Sequence, residues 1–275
     1  LDGGNFFQGT ELGMFDKGLS MIEWMNYVGY DAIVPGQYDF IFGIDNLNLL
    51  TQRANFEFLG ANIECNVCLP EMKPYIIKEV EGIKIGILGI VNSSIPDYIS
   101  SSQLSDIVFQ KELAALREWI PKVRSDGADI IIILTSSGVP WDREEVYNTF
   151  TKHELPKMNE NKIFNRSLNA IQMGYFIEET DIVVSGGISK GYNIPWYDPS
   201  SHVYILQNYG NGTSFGHVKL KIDAKYKKFI GLDYVFEQKA SHTLFEDDFD
   251  SSEAAEKWIK KRVSMVDDKN NFEKI

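Results

Sequence analysis

Four short loops carry the residue types that could do chemistry: Gly3-Gly4-Asn5, Pro35-Gly36-Gln37-Tyr38-Asp39, Thr135-Ser136-Ser137-Gly138 and Ser185-Gly186-Gly187-Ile188-Ser189-Lys190. Each follows an apolar run that reads as a strand. In open α/β sheets ligands bind outside the carboxyl ends of the strands, so position alone makes these loops a candidate site. Gly186-Gly187 followed by Ser189-Lys190-Gly191 has the parts of an anion cradle, backbone N–H groups with Lys190 as counter-charge. The same stretch also reads as a glycine turn with a solvated lysine. Tyr38, Tyr192, Trp196, Tyr197 and Tyr209 fall in or near the loops. They either line a pocket for a ring-shaped ligand such as a sugar or nucleoside, or they fill space, which is the simpler reading. Cys65-Asn66-Val67-Cys68 reads as a local disulfide or a free pair. A redox motif would open a helix, whereas Leu69-Pro70 follows here, and a four-sulfur zinc site needs a second pair.

The elements that must position these loops are short apolar strands alternating with amphipathic helices. Ala32 to Val34, Ile83 to Val91, Ile130 to Leu134 and Ile182 to Val184 read as strands; Val203 to Gln207 and Val218 to Ile222 alternate more and read as antiparallel. Helices are expected at Lys17 to Val28, Leu47 to Ala54, Asp106 to Val123, Glu144 to Lys152, Asn165 to Met173 and Ser251 to Val263. In Asp106 to Val123 the apolar residues Ile107, Leu113, Leu116, Trp119, Ile120 and Val123 share one face. Near-continuous apolar strands between helices indicate an α/β protein with strands covered on both faces.

Composition limits the partners. The 275 residues are 44% hydrophobic and 24% charged, an ordinary globular balance. A formal net charge of −12 argues against nonspecific binding to nucleic acid or anionic membranes. The longest apolar run, Ile130 to Leu134, is far short of the roughly 20 residues of a membrane span. Two cysteines exclude a disulfide-stapled scaffold. The chain opens at Leu1 inside what reads as the end of a strand, so further sequence is expected upstream; no signal peptide is visible in this chain.

Six segments in register resemble the 5′-nucleotidase branch of the calcineurin-like metallophosphatases. Leu1 to Thr10 (LDGGNFFQGT) is similar to "DAGDxxQGT", and Met25 to Phe40 (MNYVGYDAIVPGQYDF) to "MNxxGYDAxxxGNHEFD". Leu59 to Ile63 resembles "LSANI", Asp129 to Gly138 (DIIIILTSSG) resembles "DxIIxLSHxG", and Asp181 to Lys190 (DIVVSGGISK) resembles "DxIIxGHSH". Leu206 to Asp223 resembles the closing "VQAGxxGxxxGxxxLxxD". The resemblance implies a four-layer αββα sandwich with mixed sheets. It also implies a site of two divalent metal ions that clamp a phosphate and activate water.

Taken residue by residue, the ligand positions are altered. The family's bridging Asp falls on Asn5, which cannot supply the bridging charge, and its Asn ligand falls on the longer Gln37. Its transition-state His falls on Tyr38, and the Asp that orients that His falls on Ile41. One ligand His falls on Ser136, and two more fall on Ile188 and Lys190. Ile188 has no ligand atom, and Lys190 puts a cation where cations should sit. The motif "DxHG" would lie before Leu1. His153, His202, His217 and His242 are away from the ligand positions.

The expectation is therefore a member of this family that has lost dinuclear metal binding and phosphoester hydrolysis, with no cofactor, and that serves binding or assembly. The old site would be partly filled by Tyr38, Ile188 and Lys190, with Asp39, Tyr192, Trp196 and Tyr209 as the residues of any remaining pocket. A nucleotide-, nucleoside- or sugar-like molecule is the partner expected there. Two alternatives stay open: an active phosphoesterase with an atypical site built on Asp39, Gln37 and Asn5, and an exported binding protein that uses another surface. Residues 1–240 are expected to form the metallophosphatase-like domain. Residues 241–275 are expected to form an acidic stretch and a helix resembling the linker to the family's second, base-stacking domain, which this reading expects to be absent. The resemblance implies a periplasmic, extracellular or cell-surface protein.

Overall fold

The computed structural model describes residues 1–65, 69–235, 239–245, 247 and 250–272, with 267–272 as backbone only. The Cys65-Asn66-Val67-Cys68 pairing lies outside the described residues. The described strands are β1 (Ala32–Ile33), β2 (Glu57–Phe58), β3 (Ile63–Glu64), β4 (Tyr75–Val80), β5 (Ile83–Ile90), β6 (Val108–Phe109) and β7 (Ile130–Thr135), then β8 (Ile182–Ser185), β9 (Trp196–Tyr197), β10 (Tyr204–Gln207), β11 (Ser214–Gly216), β12 (Val218–Asp223), β13 (Lys228–Tyr234) and β14 (Ser241–Thr243).

The two longest apolar runs become the centre of a six-stranded mixed sheet in the order β4-β5-β7-β8-β10-β9. Strands β5, β7, β8 and β10 are parallel, and β4 and β9 are antiparallel at the edges. Strand β10 was expected to be antiparallel and instead runs parallel to β8, with only its short edge partner β9 antiparallel. Its alternation has another cause. Ile205 points into the helix-covered core, while Tyr204 and Leu206 face a thinner cover and stay partly exposed.

The sheet is covered on both faces, as its nearly continuous apolar strands require. On one face Leu88, Ile90, Ile131, Ile133, Val183 and Ile205 pack with helices Glu112–Ser125 and Ala170–Gly174. On the other, Ile87 and Leu134 meet parallel β1 and β2, with helices Leu19–Val28 and Ile44–Arg53 behind them. The rest of that face, around Ile132 and Ile182, is covered by the antiparallel β12–β13 hairpin. The layers are helix, sheet, strand pairs, helix, the expected αββα arrangement. Asp2 adds one isolated parallel bridge to Ile33 on the β1 side.

Three helix expectations need correction. The helix expected from Asp106 begins at Glu112, because Val108–Phe109 pairs with β3 and Lys111 is extended. The helix expected from Asn165 begins at Ala170, where Asn169 and Gln172 exchange side-chain-to-backbone bonds of 3.0 and 3.2 Å, a capping box. The C-terminal helix spans Glu253–Phe272, well past Val263. It docks on the domain through Trp258 against Trp24, 5.8 Å between ring centroids, and through Arg262, 3.7 Å from Asp16.

Candidate functional site

The four loops do meet, at the carboxyl ends of the strands. They meet backbone to backbone. Gly4 has φ +91°, and a Cβ there would overlap Gly36 N; Gly187 has φ +86°, and a Cβ there would overlap Ser136 O. Only glycine permits both the conformation and the approach.

At the centre is the carboxylate of Asp39, which is fully buried. Its Oδ2 accepts the N–H of Asn5 at 2.7 Å and of Gly36 at 2.7 Å. Its Oδ1 accepts the N–H of Phe6 at 3.2 Å and Nε2 of Gln8 at 2.9 Å. Burial pushes the Asp39 pKa up to about 7, against the pull of these donors and with a smaller push from the Asp2 charge. Asp2 itself is raised above its ordinary value by burial, opposed by the Gly4 N–H that its Oδ1 accepts at 2.8 Å. Asp39 therefore does not line an open pocket; it is the knot that ties the first loop to the second.

The other expected site residues fall as follows. Asn5 adopts φ 62°, a left-handed conformation that Asn tolerates better than most residues. Its Oδ1 accepts the Tyr38 N–H at 2.9 Å, and its Nδ2 faces Gly187 O at a long 3.5 Å. The Asn5 amide thus spans the first, second and fourth loops. Gln37 is partly exposed, and its side chain makes no hydrogen bond to the described residues. Tyr38 is 48% exposed, so it does not fill the site as expected. Ile41 packs partly into the core and also borders a cleft of about 310 Å³ with Phe42, Asp45, Ser102, Gln103 and Ser105. None of that cleft's lining comes from the loops at Gly3, Ser136 or Gly186. Ser136 is buried, and its Oγ accepts the Asn92 N–H at 3.0 Å. Ile188 does fill: its side chain lies where a Cβ on Gly138 would be. Among the described residues, no group of three or more His, Cys, Asp or Glu is placed to hold a metal ion.

Lys190 points into rings. Its Nζ lies 5.0 Å from the centroid of Trp141, 5.6 Å from Tyr192 and 6.0 Å from Tyr209. Behind it the Arg143 guanidinium stacks 4.3 Å from Tyr192 and 5.7 Å from Trp196. Trp196 also packs 5.2 Å from Tyr147, and its indole N–H is buried without an acceptor among the described residues, so it backs the cluster rather than lining a pocket. Sequence reasoning missed Trp141, Gln8 and Gln207. Gln207 is legible in hindsight as the polar end of β10: its Oε1 accepts Val139 N–H at 2.7 Å, and its Nε2 donates to Lys190 O at 2.6 Å.

No protein-family model matches the chain. Curated proteins do match. The rat (Rattus norvegicus) 5′-nucleotidase is 27% identical over 237 residues, 82% of this chain and 38% of the rat protein. The chain thus spans well under half the length of that relative. Among solved structures, the sulfate thiohydrolase SoxB of Thermus thermophilus superposes with a TM-score of 0.75 at 18% identity, over 97% of this chain and 42% of that one. The calcineurin-like phosphoesterase YfkN of Bacillus subtilis does so with a TM-score of 0.68 at 18% identity, over 96% and 82%. At these identities the structural matches speak to fold.

Two outcomes follow from the Asp39 knot. A carboxylate whose pKa is raised on folding contributes stability below its unfolded value and loses it as pH rises through its folded value. The stability of the wild type should therefore fall between about pH 4 and pH 7, by on the order of 4 kcal/mol from this group. Asp39→Asn should lack that slope in urea unfolding across the window, and a wild-type stability that rises with pH there would contradict the assignment. Asn5→Asp sets a second carboxylate against this cluster and replaces the donor that faces Gly187 O. It should cost about 1–3 kcal/mol at pH 8, whereas equal or greater stability would show that the amide is not holding the loops.

Proposed function

Starting from a chain related to the 5′-nucleotidase and metallophosphoesterase family, we propose that this protein no longer performs two-metal phosphoester hydrolysis and acts by binding. The observation that carries the proposal is the bonding of Asn5. At the position of the family's bridging Asp stands a neutral amide, its oxygen committed to Tyr38 N–H at 2.9 Å and its NH2 turned toward Gly187 O. A bridging ligand must offer negative oxygen to both cations, and this one offers no charge and a single lone pair beyond the one that Tyr38 N–H takes.

The neighbouring positions point the same way. Ser136 Oγ is engaged by Asn92, Ile188 carries no donor atom, and Lys190 brings an ammonium group. As a set these residues do not fit a pair of divalent cations. The competing reading, an active site built on Asp39, Gln37 and Asn5, meets the four N–H donors that already occupy the Asp39 carboxylate. A ligand that is nucleotide-, nucleoside- or sugar-like is the partner this reading favours, and export to the periplasm, extracellular space or cell surface belongs to the same proposal. Among the described residues no helix is long and apolar enough to cross a membrane.

Hydrolysis of AMP and of p-nitrophenyl phosphate, assayed in turn with Mn²⁺, Zn²⁺ and Co²⁺, tests the reading. The expected rate equals that of buffer with metal alone. Turnover that disappears in Asn5→Ala would overturn it.

A further inference from the structure

Lys190 is an unusual cation. It sits on a chain of net charge −12, yet it makes no ion pair with the described residues, and its three N–H donors make no hydrogen bond to them. What surrounds it is aromatic, and each ring comes from a different strand end. Trp141 follows β7, Tyr192 follows β8 and Tyr209 follows β10. These are three neighbouring parallel strands, and the open end of such strands is where α/β sheets receive ligands.

The cluster is held rigidly. Lys190 O is fixed by Gln207 Nε2 at 2.6 Å, and Tyr192 N–H donates to Gln207 O at 2.9 Å. The Tyr192 hydroxyl shares its one proton between Pro140 O and, at 3.0 Å, Trp141 O, which ties the Trp141 loop to the Lys190 loop. Gly210 N–H donates to Ser189 O at 2.9 Å and brings the Tyr209 loop in. The rings do not merely fill space. Trp141 is 64% exposed and Tyr209 38% exposed, so their solvent sides remain open.

We propose that Trp141, Lys190 and Tyr209 form a binding site for a small anion that carries a planar ring. The anion accepts the free N–H donors of Lys190, and the ring lies on Trp141. Each half of such a ligand answers one feature. An anion supplies the charge-assisted bond for an ammonium group that has no hydrogen bond or ion pair to the described residues. An exposed indole beside a cation offers a flat apolar face. A cationic ligand is disfavoured, because the Lys190 ammonium group beside the rings repels it. Phosphate and carboxylate share the required chemistry. The inference rests on the binding role proposed above, but it does not depend on how the loops at Asn5 treat metals.

Calorimetric titration in EDTA at fixed ionic strength, with AMP, nicotinate, adenosine and inorganic phosphate as separate probes, tests it. At least one of AMP and nicotinate should bind saturably; which one does so tells phosphate from carboxylate. Adenosine and inorganic phosphate should each bind about tenfold or more weakly than the better ring anion. Lys190→Gln should weaken the ring anion by about tenfold or more with an unchanged Tm. Trp141→Ala, at an exposed position, should weaken the ring anion and leave any phosphate binding unchanged. No saturable binding of either ring anion, equal binding of adenosine, or unchanged affinity in both variants would each overturn the site. Because EDTA removes metal-dependent turnover, hydrolysis seen only on adding metal would overturn the non-hydrolytic reading and leave this site standing.

Discussion

A single buried carboxylate holds the candidate site in its shape. Asp39 takes N–H bonds from Gly36 in its own turn and from Asn5, Phe6 and Gln8 in the loop that enters from the first strand. Burying a carboxylate is costly unless its lone pairs are met, and each unmet donor around it would be costly too. The two sides are therefore mutually obligatory. Remove the carboxylate, and Asn5 and Gly36 are left with orphan N–H groups; remove the loop, and Asp39 faces no donor from the first strand. The opposing pulls of burial and of the donors leave the Asp39 pKa raised to about 7.

Everything nearby follows from that closure. With the first and second loops tied, Gly4 and Gly187 let the backbones touch, and Asn5 spans what space is left. Ile188 closes against Gly138, and Ser136 turns its hydroxyl to Asn92. Of the side chains at ligand positions, those of Asn5, Ser136 and Ile188 are thus used up within the protein. At the end of the fourth loop Lys190 meets its three rings, and its ammonium group makes no hydrogen bond to the described residues.

Much of this was legible because it rests on local patterns. Gly86 to Ile90 and Ile130 to Leu134 carry no charged or polar side chain, which suits a doubly covered strand, and both lie in central strands. The four loops were found because strand ends collect glycine and small polar residues. Less legible were the features that depend on distant partners. Tyr75–Val80 is a two-sided, half-exposed edge strand, recognisable only once β5 is beside it. Val108–Phe109 sits inside a helix-like pattern and leaves it to pair with β3. The role of Asp39 could not be read locally either, since three of its four donors lie more than 30 positions away. Trp141 was invisible as a site residue because nothing in its own loop foretells the lysine that comes to rest above it.

The central claim is that two divalent cations have no seat between the loops of Asn5, Gln37 and Ser136. Anomalous diffraction at the manganese edge, from crystals grown in millimolar Mn²⁺, tests it most directly. The account predicts no anomalous peak within bonding distance of those three side chains, with the Asn5 amide still bonded to Tyr38. A pair of peaks about 3.5–4 Å apart in that position, with Asn5 turned away from Tyr38, would contradict it.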